Sequence, residues 1–283
     1  MASGNRRDRR DPVVPGGADR FAKAAAKVEH ASAELRKKAG QLDALTARLA
    51  TFDLWTRPEP GSRKPRFTRD EIAQAALRIV DAEGLDALSM RRLAAELDAG
   101  TMTLYHYVRT KDELLALVND AAMAELIVPD GELPTDWRAA VTMIAHRSRD
   151  VLRRHPWSLD IRDDPAPGPN GVRHFDQSLQ AVRSLDVSIA EKFELVTAVD
   201  EYTVGFCLAE RSNPGFDEPG QQTVEYVAGL VAGGDYPMLS ALVAEHGVTG
   251  AFDVLRRQNA DPERFSRNLA RLLDGFEAGM RRA

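Results

Sequence analysis

The chain is 283 residues long, 43% hydrophobic and 29% charged, with a formal net charge of −5, ordinary for a soluble globular protein with one large or two modest cores. No apolar run approaches the ~20 residues that span a bilayer, and no apolar segment follows the arginines of "MASGNRRDRRD", so neither a membrane partner nor a secretory signal is expected. Cys207 is the single cysteine, which excludes an intrachain disulfide and a thiolate metal cluster and points to a cytoplasmic protein.

The charge is uneven along the chain. Residues 1–68 hold 15 Lys or Arg against 8 Asp or Glu, a balance of +7, so the rest carries −12. A basic front suggests that a polyanion, if bound, meets that end. Residues 1–19 are rich in Arg, Asp, Gly and Pro and read as a disordered basic tail. Residues 20–56 read as a helical, coiled-coil-like extension. Phe21, Val28, Leu35, Leu42 and Leu49 recur every seven residues, with Ala24, Ala31, Leu45 and Phe52 at complementary positions. Lys38 interrupts that stripe, and Gly40 costs the helix about 1 kcal/mol, so a kink or division is expected there. "RPEPGSRKPR", residues 57–66, reads as a basic linker.

Residues 67–127 are punctuated as four helices. Thr68 and Glu71 form a capping box, Ile72, Ala75, Ala76, Ile79 and Val80 make one apolar face, and Gly84 ends the helix. A short helix follows Ser89, with Leu93, Ala94 and Leu97 inward. "DAG", residues 98–100, reads as a turn with its glycine at positive φ, and Thr101 as the cap of a third helix of about two turns. Thr110 and Glu113 form a second capping box before a fourth apolar helix. From 128 to 283 only helical periodicity is found. The spacing predicts helices over about 190–209 and from Asp261 to the end, on either side of a second half without strands.

Helix, glycine turn, helix is helix-turn-helix spacing, in which the second helix enters the major groove. The second helix here reads "TMTLYHYVRT". Thr101, Met102, Thr103, Tyr105, His106 and Tyr107 supply hydroxyls, an imidazole and ring surface for bases, thymine methyls and phosphates, with Leu104 as anchor to the core. Arg91 and Lys111 are placed for phosphates, and Arg63, Lys64 and Arg66 extend that basic surface from the linker.

Residues 68–127 resemble the DNA-binding head of the tetracycline-repressor (TetR) family of bacterial transcription regulators, carried by "LSMRRLAAELDAGTMTLYHYVRTKDELL". "RHPWSLDI…PAPGPNG", "AVDEYTVGFCLAE" and "FSRNLARLLDGFEAG" are similar to the effector domain of the branch that contains the tetracycline repressor itself. Residues 1–60 have no counterpart. The resemblance implies an all-α fold: a helix-turn-helix head, then an effector-binding and dimerisation domain over 128–283. It implies operator-bound homodimers, with Arg91 as a second-helix DNA contact, Thr101 to Tyr107 on the reading surface and Lys111 on a phosphate. The helices around 191–211 and at the end would form a four-helix dimer interface. Tetracycline-binding members hold a magnesium–drug complex through effector-domain histidines. The stretches "PAPGPNG" and "AELIVPD" have none, so the expected effector is another small, largely apolar compound. Trp157, Phe175, Phe193 and Tyr202 are candidate walls and Glu201 a candidate polar anchor.

Two other classes are open to this sequence. A helical enzyme would use the His155, Asp160, Asp163 and Asp164 cluster. No nucleophile motif, phosphate-binding glycine loop or metal spacing supports it, so no catalytic residue, metal or cofactor is expected. A coiled-coil adaptor would rest on residues 21–52 and does not exclude the regulator reading.

Overall fold

The computed structural model describes residues 34, 37, 38, 51–60, 66–161, 167–212 and 219–280. Among these residues every regular element is helical. Most of the heptad stripe therefore lies outside the described residues, as do Arg63 and Lys64. Residues 34, 37 and 38 are helical and exposed, and Phe52, expected in the buried seam, is exposed.

Helix α1, Arg69–Glu83, starts at the Thr68–Glu71 capping box, with Thr68 N–H donating to Glu71 Oε2 at 2.8 Å and Glu71 N–H to Thr68 Oγ1 at 3.1 Å. Its apolar face from Ile72 to Val80 is buried, and Gly84 closes it at φ +84°, a conformation that favours glycine. After a 3₁₀ turn, α2, Met90–Glu96, is capped by Ser89. Helix α3, Thr101–Tyr105, is a single turn and a half, shorter than the sequence suggests. Helix α4, Lys111–Ala124, follows, capped by the Thr110 hydroxyl.

The structure departs from three local expectations. Asp98, not Gly100, takes positive φ (46° against −75°), because an aspartate tolerates that region and the glycine is needed extended as N-cap of α3. Thr101 is accordingly the first residue of α3, not its cap. Glu113 does not close a capping box on Thr110; its Oε2 accepts the Arg109 N–H at 2.7 Å instead.

A first apolar core gathers α1 to α4 around Ile72, Ile79, Leu93, Leu104 and Leu114. Two outside pieces enter it. Leu54, from the helical turn 51–56, is fully buried there, and Trp157 joins from beyond α4. Segment 51–60 is pinned by polar contacts as well. Arg69 N–H donates to Glu59 at 3.0 Å, Arg69 Nη1 to the Arg57 carbonyl at 2.8 Å, and Arg109 pairs with Asp53 at 3.1 Å.

The second core is built by α5, Trp137–Arg154, α6, Pro169–Ala181, α7, Ile189–Ser212, and α10, Arg264–Met280. Its centre is Phe265, stacked on Tyr202 at 5.3 Å between ring centroids and met edge-on by Phe206 at 5.1 Å. Arg149 lies over Phe265 at 4.9 Å and is fixed by Glu210 at 2.6 Å. Helices α8, Gln221–Ala232, and α9, Pro237–Ala260, pack on each other and bury only Ala251. By length and composition alone α9 is apolar enough to cross a bilayer, contrary to the sequence expectation. Gly247, at φ +71°, breaks its helical course.

Candidate nucleic-acid interface and effector cavity

On α3, Leu104 is the anchor, fully buried, while Met102 is 72% and Tyr105 44% exposed. His106 is exposed, and Thr101 and Thr103 are half-buried. Tyr107 is a correction. It is 4% exposed and belongs to the first core, so its ring is not presented outward. The physical reason is the helical repeat: residues two apart point about 200° apart, so Tyr105 and Tyr107 cannot both face a groove.

Arg91 and Lys111 are exposed and make no hydrogen bond or ion pair among the described residues; Lys111 is the first residue of α4. Arg66 is also exposed but partly committed. Its Nη2 donates to the Asp98 carbonyl at 2.5 Å and its guanidinium sits 5.3 Å from the Phe67 ring centre, bracing the turn between α2 and α3.

A cavity of about 540 Å³ lies between α4, α5, α6 and α7. That is within the usual range for small-molecule sites. Leu126, Val141, Ile144, Val151, Val196 and Val199 make much of its wall. Of the expected wall residues only Phe175 lines it, in edge contact with Phe193 at 5.8 Å. The others are corrected. Trp157 is in the first core, where its Nε1 donates to Asp81 at 2.7 Å; Tyr202 is turned to the second core, its hydroxyl donating to the Phe265 carbonyl at 2.9 Å. Phe193 is mostly exposed beside the cavity and Glu201 points away from its lining. Aromatic residues were the wrong signal, because this second core already uses its rings to pack on Phe265.

The polar groups of the cavity are Asn119, Asp120, His174 and Asp200, with several hydroxyls. Asp120 Oδ1 accepts the N–H groups of Asn170 and Gly171, each at 3.0 Å, so it caps the start of α6. Burial pushes its carboxyl above the usual range, against those hydrogen bonds. Burial also pulls His174 down to about 4, so its imidazole is neutral at pH 7, and its Nδ1 is buried without a hydrogen-bond partner. Asp200 carries open surface yet is surrounded by protein atoms, because that surface faces the cavity; burial and then Glu201 push its carboxyl up. Sequence could have shown it: Val196, Val199, Asp200 and Thr203 follow i, i+3, i+4, i+7, an acid inside an apolar stripe.

The junction between the two cores is polar. The buried His155 has Nδ1 2.7 Å from Asp81 Oδ1, on α1, and Nε2 3.2 Å from Glu125 Oε1, just after α4. Asp160 is bound by Arg211 through both oxygens at 2.8 and 2.9 Å. His155 and Asp160 are thus committed to different structural pairs and form no common site; Asp163 and Asp164 lie outside the described residues.

A helix-turn-helix head whose last helix runs on into the wall of a ligand-sized cavity defines a DNA-binding regulator. Two family descriptions match the chain: "Bacterial regulatory proteins, tetR family" at residues 72–118 and "Tetracyclin repressor-like, C-terminal domain" at residues 129–280. The chain belongs to the TetR family. It is 35% identical over 236 residues to the HTH-type transcriptional repressor DrrR1 of Streptomyces coeruleorubidus, covering 80% of this chain and 83% of that protein. It is 26% identical to the class E tetracycline repressor of Escherichia coli over 52% of this chain and 70% of that one. Among solved structures it is similar to ActR of Streptomyces coelicolor, without ligand (TM-score 0.59, 29% identity, 77% of this chain and 98% of that one). It is equally similar to ActR in complex with actinorhodin (TM-score 0.58, 30% identity, 75% and 96%). The family and these relatives are transcription regulators rather than enzymes.

Proposed function

We propose that the protein is a homodimeric repressor that holds a near-palindromic operator in the cytoplasm and leaves it when a small molecule fills the cavity. One observation carries the reading. Helix α4 starts beside the recognition helix with Lys111 and reaches the cavity wall with Asn119, Asp120 and Met123. A ligand that shifts the cavity end of a rigid helix shifts its head end too, and release follows when the ligand prefers the spacing that DNA does not.

In this reading Thr101, Met102, Thr103, Tyr105 and His106 face the groove, and Arg91 and Lys111 bind phosphates. Arg63, Lys64 and Arg66 add contacts from the linker. Two heads sit about 34 Å apart, one turn of the duplex. The exposed Ile189, Phe193 and Leu208 of α7 and the half-buried Leu272 and Phe276 of α10 supply the dimer face. The similarity to ActR, whose structure is in complex with actinorhodin, supports a small-molecule ligand. In vitro selection from random duplex DNA, followed by gel shifts, tests the proposal. The expected product is one site with two half-sites a helical turn apart. Recovery of unrelated sequences with equal affinity would reject it.

A further inference from the structure

The cavity's charge pattern defines the kind of molecule that it accepts. Among the described residues that line it, the only charged side chains are Asp120 and Asp200, and none is Lys or Arg. An anionic ligand would meet two carboxylates in an apolar surrounding with no cation to compensate among the described residues, which selects against it.

The two carboxylates are not equivalent. Asp120 is occupied: besides the two backbone N–H groups, its Oδ2 accepts from Asn170 Nδ2 at 3.0 Å. A ligand that took over Asp120 would undo the start of α6. Asp200 has no hydrogen bond or ion pair among the described residues, though it sits in a wall with Val196, Val199 and Val204. A carboxylate that opens onto a largely apolar cavity without a partner is free to anchor a cationic group of a ligand. The neutral His174 adds a second unpartnered polar atom in the same cavity and no positive charge to repel a cation.

We propose that the effector is a hydrophobic amine: an apolar body that fills the aliphatic wall, carrying one basic nitrogen held as its ammonium by the Asp200 carboxylate. This rests on the effector-cavity reading above and names the ligand class. The ammonium supplies the ion pair that Asp200 lacks. The aliphatic walls and Phe175 take the body of the molecule, and His174 is left to meet a neutral donor or acceptor elsewhere on it.

Three matched fluorescent probes test this on the full-length protein without DNA. They are monodansylcadaverine, its N-acetyl derivative and N-dansyl-6-aminohexanoic acid, which share an apolar body and differ in charge. The amine should bind roughly 10- to 100-fold tighter than the neutral derivative, the range of one charge-assisted hydrogen bond, and the acid should bind weakest. Asp200→Asn should abolish the amine's advantage while leaving the neutral probe within about twofold; Asp200→Glu should retain it. Melting curves establish that both variants are folded. The proposal is overturned if the acid binds as well as the amine, if none of the three binds, or if the preference survives Asp200→Asn. Failure of the regulator reading would show instead in the operator selection, which uses no probe.

Discussion

Arg57 and Glu113, 56 positions apart in sequence, form a bidentate ion pair, with Nη2 to Oε2 at 3.0 Å and Nη1 to Oε1 at 3.2 Å. Their side chains are 11% and 4% exposed. The same guanidinium donates to Asp53 and to the Tyr107 carbonyl, and the same carboxylate holds the Arg109 N–H. Hydrogen bonding to Glu113 holds the Arg57 charge more firmly than usual. Removing Arg57 leaves the Glu113 charge buried without a cation, and removing Glu113 leaves the half-buried guanidinium only the more exposed Asp53 as counter-charge. Glu113→Ala and Arg57→Ala should each lower stability by about 3–5 kcal/mol in urea unfolding, and Arg57→Met with Glu113→Leu should recover most of it. Single variants as stable as the parent would show the pair to be incidental.

The pair also fixes where the chain can be shortened. A protein starting at residue 51 keeps Arg57 and the buried Leu54; one starting at residue 61 loses both. The first should unfold at the parent's midpoint, and the second should lose at least the ~2–5 kcal/mol of a truncated core leucine. Equal midpoints for the two truncations would mean that segment 51–60 does not stabilise the head.

The two tyrosines beside His106 should separate function from stability. Tyr105→Ala should weaken operator binding by about 1–3 kcal/mol with the melting curve unchanged. Tyr107→Ala should destabilise the head by about 3–5 kcal/mol, as for other buried rings. Lys111→Ala should weaken binding to all duplexes and reduce the salt slope by about one. Thermal melts beside salt-titrated gel shifts distinguish these cases, and a stable Tyr107→Ala protein with lost DNA binding would reverse the assignment.

Asp81 accepts from the Trp157 indole and faces His155 at 2.7 Å each, bridging α1 to the segment after α5. Asp81→Ala strands both rings' donors and should cost roughly 1–3 kcal/mol for each buried group left unpaired. Tryptophan emission should shift to the red as the junction loosens. An unaltered spectrum and midpoint would remove Asp81 from the junction.

His174 sets a pH dependence. Its folded value of about 4 lies below the ordinary 6.5, so the unfolded chain binds the proton that the folded one refuses. Stability at this site is full above the unfolded value and falls as pH drops through the window between 6.5 and 4. Asp120 acts with opposite sign, since its raised carboxyl holds a proton better folded than unfolded. His174→Gln should therefore remove about 1–3 kcal/mol of the loss between neutral and acid pH in urea titrations. Parallel pH profiles for parent and variant would contradict this.

What the sequence conveyed follows from how local each signal is. Thr68 with Glu71, Ser89 and Gly84 mark helix ends through contacts three or four residues long, and the structure has them. The apolar faces of α1 and α10 are periodic enough to show which way those helices turn. The five residues of α3 are too few for that, and residue type alone put Tyr107 on the wrong side. Glu113 could not be read because its partner Arg57 lies 56 positions away. The cavity wall was misread for a related reason: which ring packs on Phe265 and which reaches the cavity depends on how α7 is rotated. The pattern that settles it is the acid in the valine stripe rather than the aromatic residues.

Gly168 begins α6 where three parts of the chain cross. A Cβ added there would stand 2.7 Å from Trp55 Cζ2 and closer still to the Asp120 carboxylate. Its φ of −79° suits any residue, so space alone excludes a side chain. Position 168 is thereby linked to position 55, which lies ahead of both matched family regions. Homologues that keep either an indole at 55 or an aspartate at 120 should keep glycine at 168, and alanine is expected only where both have changed. Those three alignment columns should therefore change together, so that a single glycine in the second half of the chain records both the cap on α6 and the docking of the N-terminal segment.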